Sequence, residues 1–387
     1  MQSSKSLSRA EAEAFGRELD ALRDRVRADL GQRDVEHIRG VIRVLRYSEV
    51  TGRILLHLGI GPVSFVLGVT ALGASKILEN MEVGHNVMHG QYDWTGDPSL
   101  DSKAYEWDMV ADSELWRHSH NFEHHTFTNI LGRDRDIGYM FLRVHPLQPW
   151  QPRHAIQPLI TAMLALVFQW GIAFHELHLD ELFAGGQPLA VLRRRAAPVL
   201  RKAGWQLAKD YLAYPLLALA NAPRVALGNL LANGMRNVWI FAIVFCGHFP
   251  AGTRMYLEAD LPDETRGEWY VRQVNGSANL TGSRAFHVLT GHLSHQIEHH
   301  LFPDLPAARY PEIAAQVREI CERYGQIYNT GSLTAQLGSV AKALVRHALP
   351  TPRVGTRDRS SVVLSEREVV VDRRLVDDDL IGDVLVR

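Results

Sequence analysis

The segment Gly291–Pro303 reads GHLSHQIEHHLFP and holds four histidines, His292, His295, His299 and His300. No other stretch constrains the fold as much, because so many imidazoles need something to bind. If the segment is helical, residues three or four apart share a face. His295 then lines up with His299, and Gln296 with both His299 and His300. The adjacent pair His299–His300 splays toward two directions, as two neighbouring metal ions require. Two upstream stretches repeat the theme: HNVMH at His85–His89 and HNFEHH at His120–His125. A lone histidine is most often a packed core or surface residue, but three such clusters in one chain need another explanation.

The 387 residues suffice for one large domain or two ordinary ones. A net charge of −1 argues against a nucleic-acid partner, which normally brings a basic excess. Mean hydropathy of −0.12 is low for a chain living mostly in lipid, so a large water-facing part is expected. Cys246 and Cys321 suggest neither a disulfide framework nor a thiolate metal site, which fits a reducing compartment.

Residues 1–53 show no secretory leader and read as charged surface helices, opened by a Ser8/Glu11 capping box. Arg43, Arg46 and Arg53 face solvent or anionic headgroups. Apolar stretches lie near 54–78, 156–174, 211–222 and 225–249. The first is long enough for one tilted span and too short for two. The third is broken by Pro215 and Pro223 and reads as interfacial or re-entrant. Polar segments 85–155 and 251–349 form a cap, and 351–387 is a charged tail. The expected fold is all-α: a membrane helical bundle of about four spans under a cytosolic helical cap. His175 and His178 read as packing at the interface.

Imidazole suits zinc, copper, iron and nickel, so ligand type alone does not name the metal. The three clusters with His248, which ends the last apolar stretch, supply more imidazoles than a structural or catalytic zinc needs. No H-E-x-x-H, phosphate-loop, dinucleotide or G-x-S-x-G motif is present. Two irons over a membrane cavity suit oxygen chemistry on a lipid-like substrate, whereas zinc has no redox chemistry.

The clusters in their contexts, Trp116-Arg117 through Asn129 and His295 through Pro303, resemble the membrane fatty-acid desaturases over about Gly52–Gly331. They are most similar to actinobacterial acyl-CoA delta-9 desaturases, together with ENMEVGHNVMHG at Glu79–Gly90 and FCGHFP at Phe245–Pro250. The resemblance implies a di-iron centre between four spans and a cytosolic cap, in a bacterial cytoplasmic membrane. It implies dioxygen as co-substrate, a long-chain acyl-CoA, and electrons originating from NAD(P)H. By motif position, His85, His89, His120, His124, His125, His299 and His300 are iron ligands, and His248 is an extra one.

The family's third box is H-x-x-H-H, and here its first position is Gln296. Either His295 ligates through an altered turn, or Gln296 holds a water; the shared helical face favours His295. His118, His287 and His292 lie near the boxes but off the pattern. Glu82, Glu123 and Glu298 are either imidazole orienters or solvated. No His-Pro-Gly-Gly haem segment is present, so the expected electron donor is a separate reductase or small carrier protein. Arg133, Arg135 and the run Arg193–Arg195 are candidates to meet that donor or coenzyme A phosphates. Two other readings stand beside desaturation. One is a membrane di-iron hydroxylase or ketolase with the same ligands; the other is a histidine-rich metal transporter with its ligands at mid-membrane.

Overall fold

The computed structural model describes residues 4–350 except residues 184 and 262; the charged tail at 351–387 lies outside them. The described residues are mostly helical, with almost no sheet. Ser8 caps the first helix, α1 (Arg9–Ala28), in a full capping box with Glu11. Its apolar face, Phe15, Leu19 and Leu22, packs with Tyr270, Ile297, Leu301 and Tyr310 into one core of the cap. The N-terminal helix is therefore bound against the third histidine cluster.

Helix α2 (Gln32–Leu58) and helix α3 (Gly61–Leu78) form a hairpin. Gly59 and Gly61 make its turn at φ 68° and 72°, a left-handed conformation that glycine adopts without strain. The apolar stretch 54–78 is therefore not one span, because the chain turns within it. Residues 54–58 end α2, and only from Gly61 does a second helix begin. Val44, Tyr47, Ile54 and Leu58 lie exposed at helical spacing along α2. Arg53 turns the other way: it sits 3.6 Å from Asp210, donates to Asn229 Oδ1 at 2.6 Å, and covers the Tyr214 ring. The expectation that Arg53 faces headgroups or water is corrected by this inward pairing. The charge that lowered the hydropathy of α2 is internal to the bundle.

After α3 the chain continues through a π-helical segment, Glu79–His85, to Met88. Helices α4 (Gln157–Leu166) and α5 (Phe168–His175) follow, bent by 100° at Val167. Basic helix α6 (Leu189–Ala208) leads into a second π segment, Lys209–Ala213. Short pieces Tyr214–Leu217 and Leu219–Asn221 replace any separate span near 211–222. Helix α7 (Ala222–His248) is the long central helix and ends on a histidine. Two helices, Gly61–Met88 and Leu219–His248, are long and apolar enough to cross a membrane, and the bent α4–α5 pair makes three. Four such spans were expected; α2 is the element whose charges keep it below that count.

Small residues let these helices approach closely. A Cβ on Gly52 would come within 2.7 Å of the Leu72 nitrogen, and one on Gly228 within 2.7 Å of Leu56. Between the helices lies a buried ionic network in which Lys76 meets Asp210 at 3.1 Å and Asp108 at 3.6 Å. Charges this deep persist only when paired.

The cap is completed by α8 (Arg266–Gly276), α9 (Gln296–Leu301), α10 (Tyr310–Arg323) and α11 (Leu333–Ala348). Two short parallel ladders tie its loops: β1 (Ile130–Leu131) with β2 (Tyr256–Leu257), and β3 (Asn279–Thr281) with β4 (Thr330–Ser332).

Candidate metal centre

Each histidine cluster sits where a helix is locally rewound or newly started. His85 closes the π segment Glu79–His85, and His120 and His124 lie within another, Arg117–His124. A π turn adds a residue to the helical repeat and re-aims side chains without ending the helix, and such turns gather at functional sites. His299 and His300 stand in α9.

The structure brings the predicted residues into two adjoining groups. In the first, ligand atoms of His85, His89, His120 and His299 lie within 4.8 Å of one another. In the second, those of His124, His248 and His300 do so. His125 joins them, grouping with His299 and His300, its ring stacked on His300 at 4.4 Å. The two directions expected of His299 and His300 are thus realised as one residue in each group.

Outer partners hold the rings by their far nitrogens. His124 Nδ1 lies 3.0 Å from Asp134 and His120 Nδ1 3.5 Å from Asp136. His300 Nδ1 meets Gln273 Oε1 at 2.9 Å, and His85 Nδ1 meets Asn86 Oδ1 at 3.1 Å. A hydrogen bond donated from Nδ1 fixes the tautomer that leaves Nε2 free to ligate. Nε2 of His89, His120, His125 and His299 is buried without a hydrogen-bond partner. A buried polar nitrogen left unpaired is costly, so this many together mark a place for a bound cation.

For three of the rings the electrostatics agree with that reading. Burial, then the neighbouring imidazoles, hold His125, His299 and His300 well below the ordinary histidine value, so they are neutral and able to ligate. Burial also presses on His124, but the Asp134 carboxylate outweighs it and the group is held above its ordinary value.

His295 stands apart from both groups. The helix begins only at Gln296, and His295 lies before it at φ −108° and ψ 56°, so His295 and His299 do not share a helical face. Its ring packs on His287 at 4.6 Å. Gln296 instead reaches the second group, its Nε2 lying 2.9 Å from His248 Nε2 and its Oε1 buried without a partner.

The three glutamates do not hold the clustered rings. Glu82 takes His37 at 2.7 Å and His292 at 2.9 Å, and Glu123 takes the exposed His118 at 3.4 Å. Glu298 accepts from Asn279 at 2.8 Å and Tyr328 at 2.7 Å. Asp134, Asp136 and Gln273 do that work. The carboxylates that follow HNFEHH in LGRDRD are the sequence signal for these partners. His175 lies 3.6 Å from Asp136 and His178 2.8 Å from Glu181, and neither joins the two histidine groups. Arg133 and Arg135 are already paired, with Glu258 at 3.6 Å and Glu181 at 2.9 Å.

Fold and site together define a helical membrane protein whose cap and spans meet at clustered histidines that could hold metal. The fatty acid desaturase family model matches residues 60–332, and the chain belongs to that family. It is 43% identical over 348 residues to the NADPH-dependent stearoyl-CoA 9-desaturase of Mycobacterium tuberculosis, covering 89% of this chain and 82% of that one. It is 26% identical to the sn-1 linoleoyl-lipid 6-desaturase of Synechocystis, over 69% of this chain and 76% of that one. It is also 26% identical to the acyl-lipid (7-3)-desaturase of Rebecca salina, over 66% of this chain and 58% of that one.

Proposed function

We propose that this enzyme places a cis double bond at carbon 9 of a long-chain saturated acyl-CoA, using dioxygen and a di-iron centre. The observation that carries the metal reading is the pair of adjoining imidazole groups, together with the buried Nε2 atoms of His89, His120, His125 and His299 that have no other partner. The first iron would be held by His85, His89, His120 and His299, the second by His124, His248 and His300 with Gln296 beside them. His125 lies between the two. Iron, when bound, supplies the redox chemistry that reduces dioxygen and removes two hydrogens from unactivated methylenes. The overall balance is one saturated acyl chain, dioxygen, two electrons and two protons giving the monoene and two waters.

The chain's own part is positioning. Asp134, Asp136 and Gln273 keep the imidazole tautomers fixed, and burial of the Nε2 atoms of His89, His120, His125 and His299 limits the access of water. The acyl-CoA assignment follows the stearoyl-CoA relative, which shares far more identity than the acyl-lipid relatives. Electrons come from NAD(P)H through a separate reductase or small carrier. His248 ends a span and His85 lies in the last turns of another, which supports a site at the membrane surface; we take that surface to be the cytoplasmic one, where NAD(P)H is supplied. Ligands at span ends, rather than at mid-membrane, oppose the transporter reading.

The test is a fatty-acid profile. The chain is expressed with a matching reductase in a host lacking its own desaturase, and stearate is fed. A cis-9 monoene, absent with His299→Ala, is expected. A hydroxylated product would replace desaturation by hydroxylation, and a purified protein that binds no iron would refute the mechanism.

A further inference from the structure

A cavity of about 670 Å³ lies between the loop that follows α7, the segment at Val144–His145, and one face of α11. It is within the size range of small-molecule sites. None of the histidines at the metal centre lines it, yet its wall begins at Phe249, the residue after His248.

Its charge is one-sided. Across the whole chain Asp and Glu number 43 against 42 Lys and Arg. The segments that line the cavity, 144–145, 249–255 and 334–347, contain no carboxylate. They bring His145, Lys342, Arg346 and His347 to its lining. Lys342 and Arg346 are exposed, and among the described residues neither has an ion-pair partner. The other large cavity differs, because its cations Arg133 and Arg266 are matched by Glu258 and Asp20. Burial, then His347 and Arg143, push His145 down to about 4, and no carboxylate is among the described residues that line the cavity. Val144, Phe249 and Met255 give the same cavity an apolar wall. A site with uncompensated cations and an apolar wall suits an amphiphilic polyanion.

We infer that this cavity binds the phosphate-bearing end of the acyl substrate, with Lys342 and Arg346 on the phosphates and the wall at Phe249 directing the chain toward His248. This rests on the desaturase reading and adds to it the location of the head group. A phospholipid offers the same chemistry, so the test separates the two sources.

Gly338 provides a probe that does not depend on charge. It lines the cavity, and a Cβ built on it meets nothing within 4 Å, so a side chain can be started there without striking the protein. The full chain, in nanodiscs, is compared with Lys342→Glu/Arg346→Glu and with Gly338→Leu. Binding of free coenzyme A is measured calorimetrically without turnover, together with KM for stearoyl-CoA. Iron content and thermal stability check the fold. Coenzyme A binding should weaken about tenfold or more per cation removed, KM should rise in step, and Gly338→Leu should do the same with iron retained. Unchanged coenzyme A binding in both variants overturns the inference. So does an unchanged KM accompanied by lost binding of phosphatidylglycerol vesicles, which would make the cavity a lipid headgroup site. Wild-type protein that binds coenzyme A at this cavity but forms no monoene would sustain the site and defeat the desaturase reading.

Discussion

Gln296 Nε2 lies 2.9 Å from His248 Nε2, bringing the last residue of the central helix against the first residue of α9. The contact needs a glycine beside it, because a Cβ on Gly247 would come within 2.9 Å of the Gln296 side chain. Gln296 Oε1 is buried and unpaired, so the amide faces the second histidine group with an oxygen to offer. Gln296→Ala is expected to weaken iron at that group roughly tenfold, the usual cost of losing a supporting partner. Gly247→Ala, which displaces the amide, should imitate it, and Gln296→His should tighten binding by adding an imidazole. Iron per chain, measured against a graded chelator, tests the order. Equal retention in all three would remove Gln296 from the site.

Asp134 is the clearest outer support. Its Oδ1 lies 3.0 Å from His124 Nδ1, while Oδ2 accepts from the Asn129 backbone at 2.7 Å. Asp134→Asn keeps the shape but lets His124 adopt either tautomer. Iron affinity at the group of His124, His248 and His300 should fall about 10–100-fold. The group of His85, His89, His120 and His299 should hold its iron, so mild chelation should leave near one iron per chain. Loss of both irons together would show the groups to be a single unit.

The histidine spacing made the site legible because ligands must converge, whatever the backbone does between them. The way they converge was less legible. His295 and Gln296 differ by one position, and only the start of α9 at Gln296 decides which side chain points inward. Asp134 and Asp136 sit in a turn-rich segment whose composition resembles any surface connector. The α2–α3 hairpin was hidden for another reason. Hydropathy counts Arg53 as a cost to membrane burial, whereas the fold turns it inward to Asp210 and Asn229.

That inward turn leads to a prediction about α2. Tyr47 and Ile54 are exposed on the bundle's outside, 71% and 51%, although both are apolar or aromatic. We expect this stripe to face lipid, which gives the region ahead of His85 the hairpin that places all three boxes on one side. Single cysteines at Tyr47 and Ile54 should resist a membrane-impermeant maleimide in intact vesicles and react in detergent. Glu36→Cys, near the start of the same helix, should react in inverted vesicles. Cys246 and Cys321 are buried and should stay silent. Ready labelling at Ile54 in vesicles would place α2 on the surface.

Leu56 tests how the hairpin is locked to the central helix. It is fully buried at 0% exposure, and Gly68 and Gly228 both lie against it, with built Cβ atoms at 3.0 and 2.7 Å. Packing of this kind has no slack, since the glycines exist to let backbones approach. Leu56→Ala should cost about 2–5 kcal/mol through lost contacts and a cavity. Gly228→Val should cost at least about 1–3 kcal/mol by forcing α7 away from α2. Gly234 is the control on the same helix, because its added Cβ meets nothing within 4 Å. Gly234→Ala should be neutral or stabilise by about 0.5–1 kcal/mol, since alanine loses less backbone entropy in a helix. Thermal unfolding in detergent should rank Gly234→Ala at or above wild type, with Gly228→Val and Leu56→Ala both below it. A stable Gly228→Val would mean that the two helices are not held at the separation seen here.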